Sequence, residues 1–228
     1  MNEDAVSVVI PLRDGARHLP AALESVRAQS APVAEIVVVD DGSTDDGPEI
    51  ARRFGARVVS SPGHGAGAAR NAGARVACGP WLAFLDADDL WMPRRIEAGL
   101  AAVRDAARDV HVFGRIRQFF DLELGRSDSP SPEIFAAPHP DTLLVRAAGF
   151  LADGGYPEDG VVGEIVVWAA RLADLGRPVI MVPEVLAERR IHTRNTGVLH
   201  RDDRAGYARA LRTVIAARRA RSGAEGAP

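Results

Sequence analysis

The chain has 228 residues and a formal net charge of −3 at pH 7, and 46% of its residues are hydrophobic while 26% are charged. These values are typical of a globular protein of one domain, and the charge gives no reason to expect nucleic acid or an anionic membrane surface as a partner. The single cysteine excludes an intrachain disulfide and a cysteine metal site, no apolar run could span a membrane, and the acidic start lacks the form of a signal peptide, so we expect a cytoplasmic protein.

Four short apolar runs in the first half predict buried strands, at 6–10, 35–39, 57–60 and 81–85. Apolar residues at helical spacing follow each run, which predicts a helix after every strand. Strands that alternate with helices form parallel sheets with helices on both faces. We therefore expect an α/β protein of one domain with a doubly wound, mainly parallel sheet.

The second half of the chain has a less regular pattern. Strands are predicted at 110–120, 141–145 and 179–182, and helices from Glu164 to about Gly176 and over 203–218. The stretch 121–140 is rich in Pro, Ser and acids, which indicates a long irregular connection, and long loops inside compact domains are often functional. We expect a disordered tail at 220–228.

Three acids follow the strand predicted at 81–85, namely Asp86, Asp88 and Asp89. Ligands of open α/β sheets bind beyond the carboxyl ends of strands, and carboxylate oxygens suit a divalent cation. The structural alternative is that these acids cap the next helix, but a helix cap needs only one acid and this stretch has three. Asp89 is the one that we expect to be structural.

A second acidic strand end occurs at Asp40 and Asp41, although Asp, Gly and Ser are also the expected residues of an ordinary turn. The glycine-rich stretch 65–70 invites comparison with dinucleotide-binding loops, but Arg70 replaces the third glycine and the loop is not the first strand-helix turn. A dinucleotide oxidoreductase is therefore disfavoured. Arg70 is expected to face a nucleotide, with an ordinary surface arginine as the alternative.

Together these stretches resemble glycosyltransferase family 2, whose members share the GT-A fold. Four segments carry the resemblance in family order: VSVVIP at 6–11, VVVDDGSTD at 37–45, GAARNAG at 67–73 and FLDADD at 84–89. The resemblance implies a single-domain, GT-A-like (Rossmann-like) sheet and a nucleotide-diphosphate sugar donor, with a UDP-sugar favoured. It also implies a Mn²⁺ or Mg²⁺ ion and sugar transfer with inversion at the anomeric carbon.

The same resemblance assigns roles to residues of the first half. Pro11 and Asp41 would line the nucleoside, Arg70 would support it, and Asp86 would reach the donor ribose or sugar. Asp88, the last residue of the DXD motif, would hold the metal. The donor site implied in this way comprises Pro11, Leu12, Arg13, Asp14, Asp40, Asp41, Gly67, Arg70, Asn71, Asp86, Ala87, Asp88 and Arg190.

Arg13 and Asp14 depart from the family, which usually has an aromatic residue and an amide there. An arginine plane can still stack on a base, but without the usual aromatic platform the identity of the nucleotide stays open.

The second half resembles the family more loosely. Gly-Gly-Tyr at 154–156 precedes Glu164, which matches the position of the family's catalytic base, and an acceptor hydroxyl needs such a carboxylate. Glu158 and Asp159 are the competitors for this role, and an acid at a helix N-terminus is the bland alternative for Glu164. The late Arg190-Ile191-His192 resembles an Arg-x-His element, which implies His192 as a metal ligand and Arg190 as a phosphate partner.

The resemblance divides one domain, residues 1–228, into a nucleotide-sugar half at about 1–115, an acceptor half at about 116–202 and a C-terminal helix at about 203–219. Two other functions stay open: a nucleotide-sugar-binding protein that has lost catalysis, and a sugar-phosphate nucleotidyltransferase. The chain contains no lysine for phosphate binding, which counts against the second. The acceptor is open among lipids, polysaccharides, peptides and small metabolites, and so is the oligomeric state.

Overall fold

The computed structural model describes residues 2–104, 106, 110–121, 133–158, 163–192, 195, 212, 214 and 215. The predicted tail lies outside these residues, as does the predicted helix at 203–218 apart from Arg212, Val214 and Ile215, which are helical. Within the described ranges, no helix combines the length and apolar character that crossing a membrane requires.

Four parallel strands form the first half of the sheet, as predicted. They are β1 (Val6–Leu12), β2 (Glu35–Asp40), β3 (Arg57–Ser60) and β4 (Trp81–Phe84), in the spatial order β3-β2-β1-β4. The chain moves outward from β1 to β3 and then returns to the other side of β1 for β4. This reversal opens a crevice at the carboxyl ends of β1 and β4, where open α/β sheets bind ligands.

Helices cover both faces of this sheet. One core contains side chains of α1 (Leu19–Arg27), α2 (Gly47–Arg53) and α4 (Arg95–Arg104), and the other contains those of α3 (Ala66–Val76), α5 (Ala147–Ala152) and α6 (Glu164–Asp174). Neighbouring residues of β1 enter different cores, since Val8 packs in the first and Val9 in the second. A sheet buried on both faces explains why its strands are continuous apolar runs.

After β4, the described residues contribute β5 (Leu90–Trp91), β6 (His111–Phe120), β7 (Ile134–Ala136), β8 (Leu144–Arg146) and β9 (Val179–Ile191). Beyond β4 the sheet continues in the order β8-β6-β9-β5, with β7 also paired to β6. β8 is antiparallel to β4 and β6, whereas β6 and β9 are parallel. Because β5 pairs with β9, the segment after the three acids lies against the late strand.

Two predicted strands in this half differ from the structure in their bounds. Residues Pro140–Thr142 form a 3-10 turn, which proline at its first position favours, and the strand expected at 141–145 begins only at Leu144. The strand expected to end at Val182 continues to Ile191. It accommodates Pro183 through a shift in register between two pairs, Phe113 with Met181 and Arg115 with Val185.

The helix after the three acids begins at Arg95, with β5 in between. None of the three acids is therefore the N-cap of this helix, and the capping alternative is wrong. Their side chains have other partners.

Candidate active site

Arg70 lies at the centre of the crevice. Its side chain is 2% exposed, and it donates hydrogen bonds to Glu164 Oε1 through one terminal nitrogen, at 2.8 Å, and to Asp86 Oδ1 through the other. Burial alone would lower the pKa of Arg70, but Asp86 and Glu164 outweigh it and raise that pKa, so the guanidinium stays charged. Arg70 is thus not the surface arginine of the alternative interpretation. It joins a carboxylate at the end of β4 to one at the start of α6.

Asp86 is held from two sides. Its backbone N–H donates to Asp141 Oδ1 at 2.9 Å, while its carboxylate pairs with Arg70 and stays 30% exposed. Burial raises the pKa of Asp86, yet the positive charge of Arg70 more than offsets this and the pKa is lowered. An ionised carboxylate therefore faces the crevice, and the neighbouring Ala87 is partly exposed beside it.

Asp88 meets the far end of the chain. Its Oδ2 lies 2.8 Å from His192 Nε2 and accepts a hydrogen bond from Asn195 Nδ2 at 3.0 Å. Asn195 also donates to Arg190 O and accepts from the backbone N–H of His192, which holds the backbone of both residues next to Asp88. Arg190 Nε donates to the backbone carbonyl of Asp88 at 3.0 Å.

Asp88 and His192 have the donor types and spacing of a cation site. Carboxylate oxygen and imidazole nitrogen both bind Mn²⁺-like ions, and neighbouring ligands of an octahedral ion are about 3 Å apart. The observed distance of 2.8 Å between the two side-chain atoms is close to that value. The residues present therefore fit the implied cation.

Asp89 and Asp141 form a buried acid pair beneath the crevice. Burial, followed by the negative charges of Asp141 and other nearby acids, raises the pKa of Asp89 well above its usual value. Burial, followed by the negative charge of Asp86, raises the pKa of Asp141. Asp89 Oδ1 accepts the backbone N–H of Arg190 at 2.7 Å. The pair therefore ties the backbone of Asp86 to that of Arg190.

Carboxylate oxygens of Asp86, Asp89 and Asp141 lie within 4.8 Å of one another, so the three could also hold a cation. Asp86 is already paired with Arg70, and the raised pKa values of the other two favour a shared proton. The prediction that Asp88 and His192 hold the cation stays a prediction.

His18 reaches the same region from the N-terminus of α1. Its ring centroid is 5.0 Å from that of His192, and its Nε2 is 4.0 Å from Asp121 Oδ2. The same Asp121 oxygen is 3.9 Å from Arg190 NH1. Burial, followed by the positive charges of Arg190, His192 and Arg17, lowers the pKa of His18, which keeps the imidazole neutral at pH 7.

Residues near the expected nucleoside mainly hold loops in place. Asp41 accepts the backbone N–H groups of Gly63 and Gly65, and Asp40 accepts that of Ser43. Asp14, whose φ is 50°, accepts the backbone N–H and hydroxyl of Thr44. Direct contacts of these acids with a nucleoside stay predictions.

The end of β1 places three predicted donor residues differently. Pro11 is partly exposed and Arg13 is exposed, so both can meet a ligand. Leu12 is 1% exposed and packs in the core, and its carbonyl accepts the N–H of Asp41. Its side chain is therefore a core group, and a contact of its backbone with the donor stays a prediction.

Gly67 and Asn71 connect α3 to the acceptor half. Asn71 exchanges two hydrogen bonds with the backbone of Tyr156 and donates a third to Glu158. A Cβ on Gly67 would lie 2.5 Å from the carbonyl oxygen of Pro157. These two predicted donor residues position the loop before α6, and Asn71 has its amide occupied in doing so.

Two of the three candidates for the acceptor base lie within the described residues. Glu164 lies at the start of α6, 20% exposed and paired with Arg70. Glu158 is 47% exposed, and its hydrogen bond from Asn71 and contact with Arg75 lower its pKa, which makes it a weak base. Asp159 lies outside the described residues.

Three residues of this region carried no functional signal in the sequence: His18, Asp141 and Asn195. Each stands alone in an unremarkable stretch and meets the site only through folding. Asp141 was expected only as the first residue of a strand at 141–145, and nothing singled it out as a site residue.

Comparisons with known proteins identify a family for the first half of the chain. A family model described as Glycosyl transferase family 2 matches residues 7–147. An uncharacterized glycosyltransferase of Nostoc sp. is 39% identical over 98 residues, and the uncharacterized glycosyltransferase YibD of Escherichia coli is 34% identical over 110 residues. These matches cover 40% and 46% of this chain but only 30% and 32% of the relatives, so the chain spans about a third of their length.

Solved structures resemble the chain over most of its length. Mannosyltransferase PcManGT from Pyrobaculum calidifontis, in complex with GDP-Man and Mn²⁺, has a TM-score of 0.68 at 22% identity over 91% of this chain and 64% of that one. S. aureus TarS 1–349 in complex with UDP has a TM-score of 0.69 at 18% identity over 92% and 64%. The predicted GT-A fold is confirmed.

Proposed function

The chain belongs to glycosyl transferase family 2, and we propose that it transfers a sugar from a nucleotide-diphosphate sugar to an acceptor nucleophile, with inversion at the anomeric carbon. The proposal includes a divalent cation, Mn²⁺ or Mg²⁺, held by Asp88 and His192. The observation that carries it is the buried Arg70, which bonds both Asp86 on the donor side and Glu164 on the acceptor side.

That arrangement suits a single displacement. The acceptor oxygen forms a bond to the anomeric carbon, the bond from that carbon to the diphosphate breaks, and the acceptor proton passes to the Glu164 carboxylate. Arg70 holds Glu164 and Asp86 in one geometry before substrates arrive, and such preorganisation lowers the barrier. Attack on the face opposite the leaving group inverts the anomeric carbon.

The leaving diphosphate needs positive charge on its side of the crevice. A bound cation supplies part of that charge by polarising the phosphate oxygens. Arg190 adds a second positive charge, because its guanidinium is held beside Asp88 and its side chain is 16% exposed. Asn195 and the Asp89–Asp141 pair keep this segment in place.

A UDP-sugar is the donor that we propose first. TarS structures contain UDP or UDP-GlcNAc and the mannosyltransferase contains GDP-Man, so the test uses both nucleotides. Arg13, exposed at the end of β1, is the group that we propose to stack on the base.

The experiment compares wild-type protein with Asp88→Asn and Glu164→Gln in donor hydrolysis and transfer, using UDP- and GDP-sugars with Mn²⁺. Both variants should lose at least tenfold in turnover, because each replaces a carboxylate by an amide of nearly the same size and shape. Glu49→Gln, on the exposed surface of α2, is the matched control and should behave as wild type.

Three results would change the proposal. Unchanged turnover in either variant removes that residue's role, and loss of turnover in Glu158→Gln instead transfers the base to Glu158. Nucleotide binding without turnover in the wild type indicates a protein that has lost catalysis. Activity with a nucleoside triphosphate and a sugar phosphate indicates a nucleotidyltransferase.

A further inference from the structure

We propose that His18 binds the diphosphate of the donor, with its ring nitrogen hydrogen-bonded to a phosphate oxygen next to Arg190. This inference rests on the proposed function, since it names a further contact of the same donor site. It adds a residue to which the sequence assigned no role.

The position of His18 in the chain suits a contact with the diphosphate, between the expected nucleoside contacts and Asp88. The loop 13–18 connects β1 to α1 at the carboxyl end of β1, beside the point where the strand order reverses. Pro11 and Arg13, the expected nucleoside contacts, lie near the end of β1 and at the start of this loop, and His18 lies at the end of the loop. A donor that extends from the nucleoside toward Asp88 would therefore pass His18 with its phosphates.

His18 and Arg190 face the same carboxylate oxygen, next to His192. The ring of His18 lies 5.0 Å from the ring of His192, and Asp121 Oδ2 lies 4.0 Å from His18 Nε2 and 3.9 Å from Arg190 NH1. The two distances to Asp121 are those of loose electrostatic contacts and are too long for hydrogen bonds. A phosphate oxygen of the donor that takes the place of this carboxylate oxygen would therefore meet both His18 and Arg190.

The exposure of these side chains agrees with a cleft. A small, similar fraction of each side chain is exposed to solvent: 15% for His18, 14% for His192 and 16% for Arg190. A purely structural His18 would be expected to bond the helix that it begins. It occupies the N-cap of α1, yet its side chain makes no capping hydrogen bond.

The test measures binding rather than turnover. Four proteins are compared: wild type, His18→Ala, His18→Gln and His64→Ala. Binding of UDP to each is measured by calorimetry in the presence of Mn²⁺, and binding of uridine is measured by ligand-observed NMR. Gln places an amide N–H near the position of the imidazole Nε2, so it should restore much of a lost hydrogen bond. His64 is an exposed histidine to which no role in the site is assigned, and it is the matched control. If the wild type binds GDP more tightly than UDP, GDP and guanosine are used in place of UDP and uridine.

We expect His18→Ala to weaken UDP about tenfold or more, as loss of a hydrogen bond to a charged group does, and to leave uridine within twofold. His18→Gln should recover most of the UDP affinity, and His64→Ala should match wild type. Thermal midpoints without ligand should agree among all four proteins.

Two outcomes overturn the inference alone: wild-type UDP affinity in His18→Ala, or equal weakening of UDP and uridine, which would indicate a role in shaping the site. If the wild type binds neither UDP nor GDP, the proposed function fails and this inference fails with it. The two failures are distinguishable because only the second affects wild-type protein.

Discussion

Replacing Arg70 with Met is the most direct test of the site's electrostatics. Met has a similar length but no charge, so Asp86 and Glu164 would face each other without the guanidinium that both now bond. Breaking a buried ion pair by removing one partner costs about 3 to 5 kcal/mol. The two carboxylates keep exposed fractions of 30% and 20%, and water can replace part of the lost partner. We therefore expect a loss of about 2 to 3 kcal/mol in the free energy of unfolding.

The pH dependence of that loss tests its cause. In the wild type the pKa of Asp86 is lowered on folding, so its carboxylate stabilises the fold above its unfolded pKa and this contribution is lost as the pH falls. Without Arg70, burial raises the same pKa, and protonation then favours the folded variant at lower pH. The difference between the two proteins should be widest near pH 7 and shrink toward about pH 4.

Urea unfolding followed by circular dichroism at several pH values measures both effects. Arg75→Met is the matched control, because Arg75 lies on the same helix and also pairs with a glutamate, but is 56% exposed. That control should lose less than about 1 kcal/mol. A loss for Arg70→Met equal to that of Arg75→Met, or one that does not change with pH, would refute the reasoning.

Three further predictions concern packing, the acid pair and the cation. Gly67→Ala should cost about 1 to 3 kcal/mol in urea unfolding, because the new Cβ would lie 2.5 Å from the Pro157 carbonyl oxygen, and a loss near zero would contradict this contact. Asp141→Ala should destabilise by about 1 to 3 kcal/mol and Asp141→Asn by less, since an amide oxygen can still accept the Asp86 N–H; equal losses would show that this bond is unimportant. Mn²⁺ at saturating concentration should raise the thermal midpoint of the wild type and not that of Asp88→Asn, and an equal rise in both would place the ion elsewhere.

The first half of the fold could be predicted because its signals are local. Each of the strands β1 to β4 is a short, mainly apolar run. Asp40 is the last residue of β2, and Asp86 follows two residues after the end of β4. Parallel pairing then brings the carboxyl ends together whatever the details of packing. The same reasoning could not find the pairing of Asp88 with His192, whose ring lies 104 residues away in sequence. Only the resemblance to a family suggested it.

The second half resisted prediction for two physical reasons. Pro183 is a reliable sign of a strand end, yet β9 tolerates it by shifting register against β6. Polar residues that act through folding, such as Asn195 and Asp141, stand in the sequence without periodicity or a motif. Asn71 was predicted to meet the donor because it lies in a family motif, whereas its amide is bonded to Tyr156 and Glu158.

Helix α3 has a consequence for exchanging parts between related enzymes. Gly67, Arg70 and Asn71 follow one another along this helix, and they touch Pro157, Glu164 and Tyr156 respectively. The acceptor half is thus fitted to side chains encoded in the donor half. A chimera that takes its acceptor half from another enzyme should assemble an active site only when residues 67–71 come from that enzyme as well. Part of α3 therefore belongs with the acceptor half in such an exchange.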